Sequence, residues 1–378
     1  MQVVLVTALY PPVLGGAELQ AQSLARELSS CGVRVTVLTR RCPGAPLHES
    51  DHGVEILRVV SALPLGPLWG LTYMWNMHRW LRRSAARWDL IHSQQIGLHS
   101  WPSLRVARAL RRPCLLRYSS FGTGGDLAVM RARRFGRFLV AELRHASRIV
   151  ALTPAGAAEL LRYEIPAERV RVIPNGVDLQ RFSPQPWEET GDDGPIRLLF
   201  VGRLSSEKGL DLLLAALRLL PAGQFTLRVV GTGPEESALR HQAEALGVRE
   251  RIEFLGSSAE VVQHYRWSEL VVVPSRVEGM PNVVLEAMAC GRAVLGTRVN
   301  GTRDLVVEGR SGWLVDNGDP AGLAAELERL RRQRATLRDA GRVARGCVEA
   351  SYSISRVASM YMREYEGMLA EGLPGRLA

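Results

Sequence analysis

An α/β chain built as two successive parallel-sheet halves is what this sequence predicts, on three observations. Short runs rich in β-branched residues alternate with longer helical patterns from end to end. Near the middle, residues 183–195 (SPQPWEETGDDGP) hold three prolines and two glycines, the composition of a linker, and the alternation then starts again. The length, 378 residues, suits two or three domains, and 46 % apolar with 23 % charged residues is ordinary for a globular protein with an ample core.

The elements follow in order. Residues 2–8 (QVVLVTA) predict a buried strand, and residues 18–30 a helix with Leu19, Leu24, Ala25 and Leu28 on one side. Further strands are predicted at 33–39 (VRVTVLT), 55–60, 90–93, 114–118, 149–153 and 170–173. After the linker come strands at 197–201, 226–231, 252–255, 270–274 and 293–297. Helices at 209–220, 235–246, 261–267 and 282–290 fall between them, and residues 352–369 predict a last amphipathic helix. Apolar strands separated by helices argue for parallel sheets covered on both faces. The predicted domains are 1–183, with the tail 352–378 packed on it, and 184–351. Open α/β sheets take ligands beyond the carboxyl ends of their strands, and two such sheets facing each other make a cleft. The strand-to-helix turns are therefore where chemistry is expected.

Charge is unevenly placed. Residues 1–185 hold 24 arginines and 12 acidic residues, whereas the remainder holds 24 basic and 26 acidic ones. A basic first half favours an anionic partner such as a membrane surface or a phosphorylated lipid, and nucleic acid is not an expected partner. Lys208 is the single lysine against 47 arginines, which marks it as a place where a compact ammonium is wanted. Five scattered cysteines without CxxC spacing exclude a disulfide framework or zinc site and suit a reducing compartment. With no signal-like start and no long apolar run, a cytoplasmic location, peripheral on the inner face of a membrane, is expected.

Four turns carry candidate chemistry. Gly15 and Gly16, after the first strand, would let backbone approach a phosphate at a helix start. Arg203 and Lys208, on the turn that opens the second half, place two cations where a diphosphate would sit. Gly231 and Gly233 permit a close turn into the next helix. The fourth, residues 274–291, is the most specific. Glu278 stands in a loop, Gly279 frees the backbone, and Pro281 suits a first helical turn. Amides of Met280, Pro281's neighbour Asn282 and Val283 would face an anion, and Glu286 sits one to two turns into the helix.

Together these motifs resemble glycosyltransferase family 4. The resemblance rests on the Glu-x7-Glu spacing of Glu278 and Glu286, the Gly-Arg-x4-Lys-Gly loop, the Gly-Gly-x-Glu and Gly-x-Gly-Pro-Glu turns, and the stretch Ile173-Pro174-Asn175-Gly176-Val177-Asp178, in the family's order over nearly the whole chain. It implies the GT-B fold, with a tail helix crossing back to the first domain. It also implies a retaining, metal-independent transfer with no cofactor, from a nucleotide diphosphate sugar held mainly by the second domain. On that resemblance Arg203 and Lys208 neutralise the leaving diphosphate and Glu278 contacts the donor sugar. The 279–283 backbone meets its phosphates or hydroxyls, Glu286 binds the ribose, and Gly16 approaches the diphosphate. One departure stands out: many members carry a histidine after the strand that here ends at Tyr118, where this chain has Ser119 and Ser120. Ser119, Asp126 and Asn175 are the candidate sugar-site residues instead; His92 and His99 are nearer to ordinary structural histidines.

The expected acceptor is a glycan or a lipid-linked molecule of cell-envelope or exopolysaccharide assembly. Residues 69–83, which mix Trp69, Trp75 and Trp80 with Arg79, Arg82 and Arg83, and the basic stretch 131–137 are candidates for a membrane or acceptor face; an inward-packed tryptophan face is the plainer alternative. Rival functions are a sugar-nucleotide epimerase, a phosphorylase whose pyridoxal lysine would have to be Lys208, and a binding scaffold without turnover.

Overall fold

The computed structural model describes residues 1–13, 15–63, 68–120, 122, 125–132, 136–186 and 194–372. Leu14, most of the 121–124 loop, residues 133–135 of the basic stretch and residues 187–193 of the linker lie outside the described residues. The chain forms two compact units, Met1–Gly176 with Ile354–Ala378, and Val177–Ser353.

The first unit runs β1 (Gln2–Val6), α1 (Gly16–Ser30), β2 (Arg34–Arg40), β3 (His48–Asp51), β4 (Val54–Val60), α2 (Leu68–Arg83), β5 (Leu90–Ser93), α3 (Ser100–Ala109), β6 (Cys114–Tyr118), α4 (Asp126–Arg131), α5 (Gly136–Glu142), β7 (Arg148–Ala151), α6 (Pro154–Arg162) and β8 (Val170–Val172). Its eight-stranded sheet has the order β3-β4-β2-β1-β5-β6-β7-β8. Pairing is parallel throughout except for β3, which lies antiparallel on β4. Alternation along each strand divides the core. Val4, Val6, Ile91 and Leu116 pack on one face with Tyr73, Met77 and Leu104 of α2 and α3. Val3, Leu5, Leu90 and Leu115 pack on the other with Leu24 and Leu28 of α1.

The second unit runs β9 (Ile196–Val201), α7 (Leu210–Arg218), β10 (Phe225–Val230), α8 (Glu236–Ala245), β11 (Ile252–Gly256), α9 (Val261–Trp267), β12 (Leu270–Val273), α10 (Asn282–Ala289), β13 (Ala293–Thr297), α11 (Thr302–Leu305), β14 (Gly312–Val315), α12 (Pro320–Arg332) and α13 (Ala335–Ser351). Its six strands, in the order β11-β10-β9-β12-β13-β14, are all parallel. Strand order reverses between β9 and β12 here, and between β1 and β5 in the first unit, so each sheet has one crevice at the carboxyl ends of those strands. The chain then returns to the first unit as α14 (Ile354–Glu371), whose Ile354, Val357, Ala358, Tyr361, Tyr365 and Met368 complete the α1-side core.

The chain passes into the second unit at Val177, earlier than the expected boundary at 183. The reason lies in residues 177–184. Phe182 is buried, with its ring edge-on to Tyr265 at 6.0 Å, and Ser183 accepts hydrogen bonds from Arg266 at 3.0 and 2.8 Å. The Pro/Gly-rich stretch thus begins inside the second unit.

Candidate active site

At the β9/β12 crevice two turns are stitched together. The turn after β9 ends in Gly209, whose φ of 68° is left-handed, and a Cβ there would lie 2.0 Å from the carbonyl oxygen of Pro274. Only glycine lets this turn press against the end of β12. Arg276, in the turn after β12, reaches back: its N–H donates to Glu207 O at 2.7 Å, and its guanidinium donates to Ser206 O at 2.6 Å and to both Asp211 oxygens at 2.8 and 2.6 Å. A bidentate guanidinium–carboxylate pair fixes orientation as well as distance.

The consequence is a three-membered cluster. Glu278 Oε1 accepts from Lys208 Nζ at 2.7 Å and from Ser275 Oγ at 2.7 Å. The Glu278 side chain is 8 % exposed and that of Lys208 31 %. The hydroxyl of Thr297, on β13, donates to Ser275 O and holds the strand end from the other side. The two residues read from the sequence as separate contacts are therefore one ion pair. An ammonium has three donors, and this pair uses one of them. Arg203 is exposed on the same turn and makes no ion pair among the described residues.

Helix α10 begins at Asn282, with Pro281 at the N-cap (φ −73°, ψ 115°), one position before the expected first turn. The extended ψ of Pro281 delays the helix by a residue. Glu286 lies in the second turn of α10, half-buried, and its Oε2 accepts from Tyr265 Oη at 2.7 Å. Burial raises its carboxyl above the usual range, with the Tyr265 hydrogen bond and the charge of Arg181 opposing. Burial and the neighbouring Glu286 push Tyr265 well up. Glu286 makes no hydrogen bond to the Lys208–Glu278–Ser275 cluster among the described residues.

Other expected residues serve the fold in visible ways. A Cβ on Gly233 would lie 2.2 Å from Leu204 O, so the 231–235 turn needs glycine to pack on the β9 turn. Gly15 is the N-cap of α1 with extended backbone, and the Glu18 carboxylate folds back over it, 2.2 Å from where a Cβ would stand. Burial raises the Glu18 carboxyl. The α1 start, expected to greet a phosphate at Gly15 and Gly16, is thus screened by the chain's own acid. Asp126 Oδ2 accepts from Ser119 N, Ser119 Oγ and Ser120 N at 3.1, 3.0 and 3.3 Å, so these candidates close their own loop. Asn175 Oδ1 accepts from the buried Arg117, which also donates to Gln94 O at 3.1 Å. His92 is fully buried, 2.6 Å from Tyr365 Oη, and burial followed by Arg117 pushes its pKa down to about 3. Ser119 and Asp126 pair with each other, and Asn175 with Arg117. Among the described residues no three His, Cys, Asp or Glu side chains are grouped to hold a metal.

Sequence reasoning missed Ser275, Tyr265, Arg276 and Asp211. Ser275 and Arg276 sit inside the quoted motif but carry no distinctive spacing. Tyr265 comes from another helix, so no local pattern links it to Glu286.

A profile described as Glycosyltransferase Family 4 matches residues 14–181, and one described as Glycosyl transferases group 1 matches residues 195–333. The D-inositol 3-phosphate glycosyltransferase of Geodermatophilus obscurus is 31 % identical over 414 aligned positions, covering 96 % of this chain and 88 % of that protein. The chain belongs to glycosyltransferase family 4. It is accordingly an enzyme, a glycosyltransferase. The fold of this family 4 member is GT-B. Sucrose-phosphate synthase from Thermosynechococcus elongatus superposes with a TM-score of 0.85 at 24 % identity, over 98 % of this chain and 100 % of that one. Anabaena HepE, solved with UDP and glucose, gives 0.80 at 21 % identity, over 97 % of this chain and 100 % of that one.

Proposed function

We propose that the enzyme moves a sugar from a nucleotide diphosphate donor to a glycan or lipid-linked acceptor, with retention and without a metal, in cell-envelope or exopolysaccharide assembly. The observation that carries this reading is the Lys208–Glu278–Ser275 cluster at the β9/β12 crevice, with Arg203, which makes no ion pair among the described residues, on the same turn. When the bond between the anomeric carbon and the phosphate oxygen opens, the electron pair stays with the diphosphate. Lys208, held in place by Glu278, and Arg203 on the same turn stabilise that charge. The acceptor oxygen forms the new bond to the anomeric carbon and passes its proton to the departing phosphate oxygen. Glu278, relieved of part of its ion pair, accepts a donor-sugar hydroxyl, and Glu286 accepts from the ribose. HepE, crystallised with UDP and with UDP-glucose, supports UDP-sugars as the first donors to try. The relatives' name, D-inositol 3-phosphate glycosyltransferase, supports adding a phosphorylated polyol to the acceptor panel.

The test is release of nucleotide diphosphate from UDP-, GDP- and ADP-sugars by wild type, Lys208→Ala and Glu278→Gln. Loss of one preorganised donor to the departing charge costs about 10²–10³-fold in turnover, so Lys208→Ala should fall by that much while remaining folded. Wild-type turnover in both variants would refute the assignment.

A peripheral, cytoplasmic-face location belongs to the same reading. No described helix is long and apolar enough to cross a membrane. The outward face of α2 supports surface binding: Leu68, Leu71 and Trp75 are 49 %, 59 % and 66 % exposed, followed on the same face by Arg79 and Arg82. The occupant that fits a short apolar stripe running into arginines is an anionic bilayer.

A further inference from the structure

At the amino-terminal edge of the first unit's sheet, opposite the strand ends where α/β proteins take substrates, lies a cavity of about 120 Å³. Its walls come from α3 and from the residues leading into β6, β7 and β8. Arg108, Arg112, His145, Ser147 and Arg169 supply its polar groups, and no acidic side chain lines it among the described residues.

Arg112, Arg169 and Ser147 are held by the fold. Arg112 is clamped by hydrogen bonds from its Nη1 to Ala85 O and Trp88 O, and its guanidinium stacks 4.9 Å over the Trp88 ring. Arg169 donates to Arg144 O. Each uses one terminal nitrogen in this way. Ser147 Oγ accepts the Cys114 N–H at 3.2 Å and keeps its own proton to donate. The Arg108 guanidinium has no hydrogen-bonding or ionic partner among the described residues. Burial and then Arg108 push the His145 pKa down, with Arg144 and Arg169 adding to this and Glu142 alone opposing. Three guanidinium groups around one small space repel one another, and nothing lining the space neutralises them. Arginine forks match tetrahedral oxyanions, and a hydroxyl beside them suits a protonated or bridging oxygen.

We propose that this cavity is a binding site for a phosphoryl group, carried either by a small soluble anion or by a phosphate-monoester lipid headgroup. It stands apart from the donor crevice and does not depend on the assigned chemistry there.

The test is calorimetric titration of the full chain with inorganic phosphate, at ionic strength held constant with chloride, alongside the His145 ring resonances. Wild type should bind saturably with one site at the cavity and a shift of the His145 signals. Arg108→Gln and Arg169→Gln each lose a charge-assisted hydrogen bond to the anion and should each weaken binding by roughly tenfold or more. Arg108 is exposed and unpartnered, so its variant should melt as wild type does without phosphate. Lys208→Ala should bind phosphate as wild type does, which separates this site from the donor crevice. Absence of saturable binding, wild-type affinity in both arginine variants, or loss of binding in Lys208→Ala would overturn the proposal. Vesicles of phosphatidylcholine with and without phosphatidate then name the source: phosphatidate-dependent binding that free phosphate displaces and Arg108→Gln loses means a headgroup, and its absence beside saturable phosphate binding means a soluble anion.

Discussion

Burial holds the Glu286 carboxyl above its usual value of 4.5, and the Tyr265 hydroxyl at 2.7 Å offsets this only in part. An acid whose folded pKa is raised destabilises the fold once it ionises. The penalty is absent below the unfolded pKa, grows as pH rises towards the folded pKa, and stays constant above it. Glu286→Gln keeps an acceptor for Tyr265 and removes the charge. It should therefore raise the melting temperature at pH 7 to 8, with the gain vanishing as pH falls below about 4.5. Donor affinity should fall in the same variant, the trade-off expected where a site is strained for function. Thermal melts across pH with donor titrations check both, and a gain in stability without any loss of donor affinity would remove Glu286 from the site. Lys208 and Glu278 were legible in the sequence because one is the chain's single lysine and the other stands in a dense motif. Their mutual pairing was not, since it depends on Gly209 pressing one turn onto Pro274, a contact between segments about 65 residues apart. The seat of Glu286 was hidden for the same reason.

Elements show the same division between local and non-local information. Strands such as β1, β9 and β12 are runs of buried apolar residues, and their pattern marks them. The strand β3 is His-Glu-Ser-Asp, mostly exposed at a sheet edge, and carries no apolar run to read. Helix α2 was legible as an amphipathic helix but not in which tryptophan faces where. Trp69 and Trp80 pack against the core while Trp75 stands outward, so the inward and outward readings each hold for part of it. Helices α2 and α3 carry five arginines and no acidic residue. Near an anionic surface each arginine contributes about 1 kcal/mol, so Arg79→Gln with Arg82→Gln should weaken binding to vesicles containing phosphatidylglycerol by roughly thirtyfold at low salt. Screening should erase most of that difference near 1 M salt. Trp75→Ser should weaken binding at both salt concentrations, because burial of an indole does not depend on screening. Flotation of the three proteins with anionic and neutral vesicles measures this, and binding that ignores all three substitutions would place any membrane contact elsewhere.

At the scale of the whole molecule, the chain builds most of the first unit, builds the second from Val177 to Ser353, and only then supplies the helix that finishes the first. The return is tight. A Cβ on Gly176 would lie 2.9 Å from the Cα of Ile354, and Val177 N–H donates to Tyr352 O at 2.8 Å, so the outgoing and returning segments run side by side. That proximity explains why Asn175-Gly176 reads as a motif: Asn175 is tied to Arg117, and Gly176 leaves room for the helix. Ile354, Val357, Tyr361, Tyr365 and Met368 are buried against β1, β5 and α1. Burial of one large side chain is worth about 1.5–3 kcal/mol, so five of them approach the 5–15 kcal/mol or so that keeps a typical domain folded. A chain ending at Ser353 should therefore lose the first unit's cooperative melting transition while keeping that of the second, whose core contains no residue of α14. Calorimetry should show two transitions reduced to one. Hydrogen exchange should show rapid exchange in β1 and β5 beside protected β9 and β12. Gly176→Ala offers a graded version, because it strains the same junction without removing the helix, and it should lower only the first unit's transition. Unchanged protection of β1 in the truncated chain would mean that α14 covers a core already stable without it.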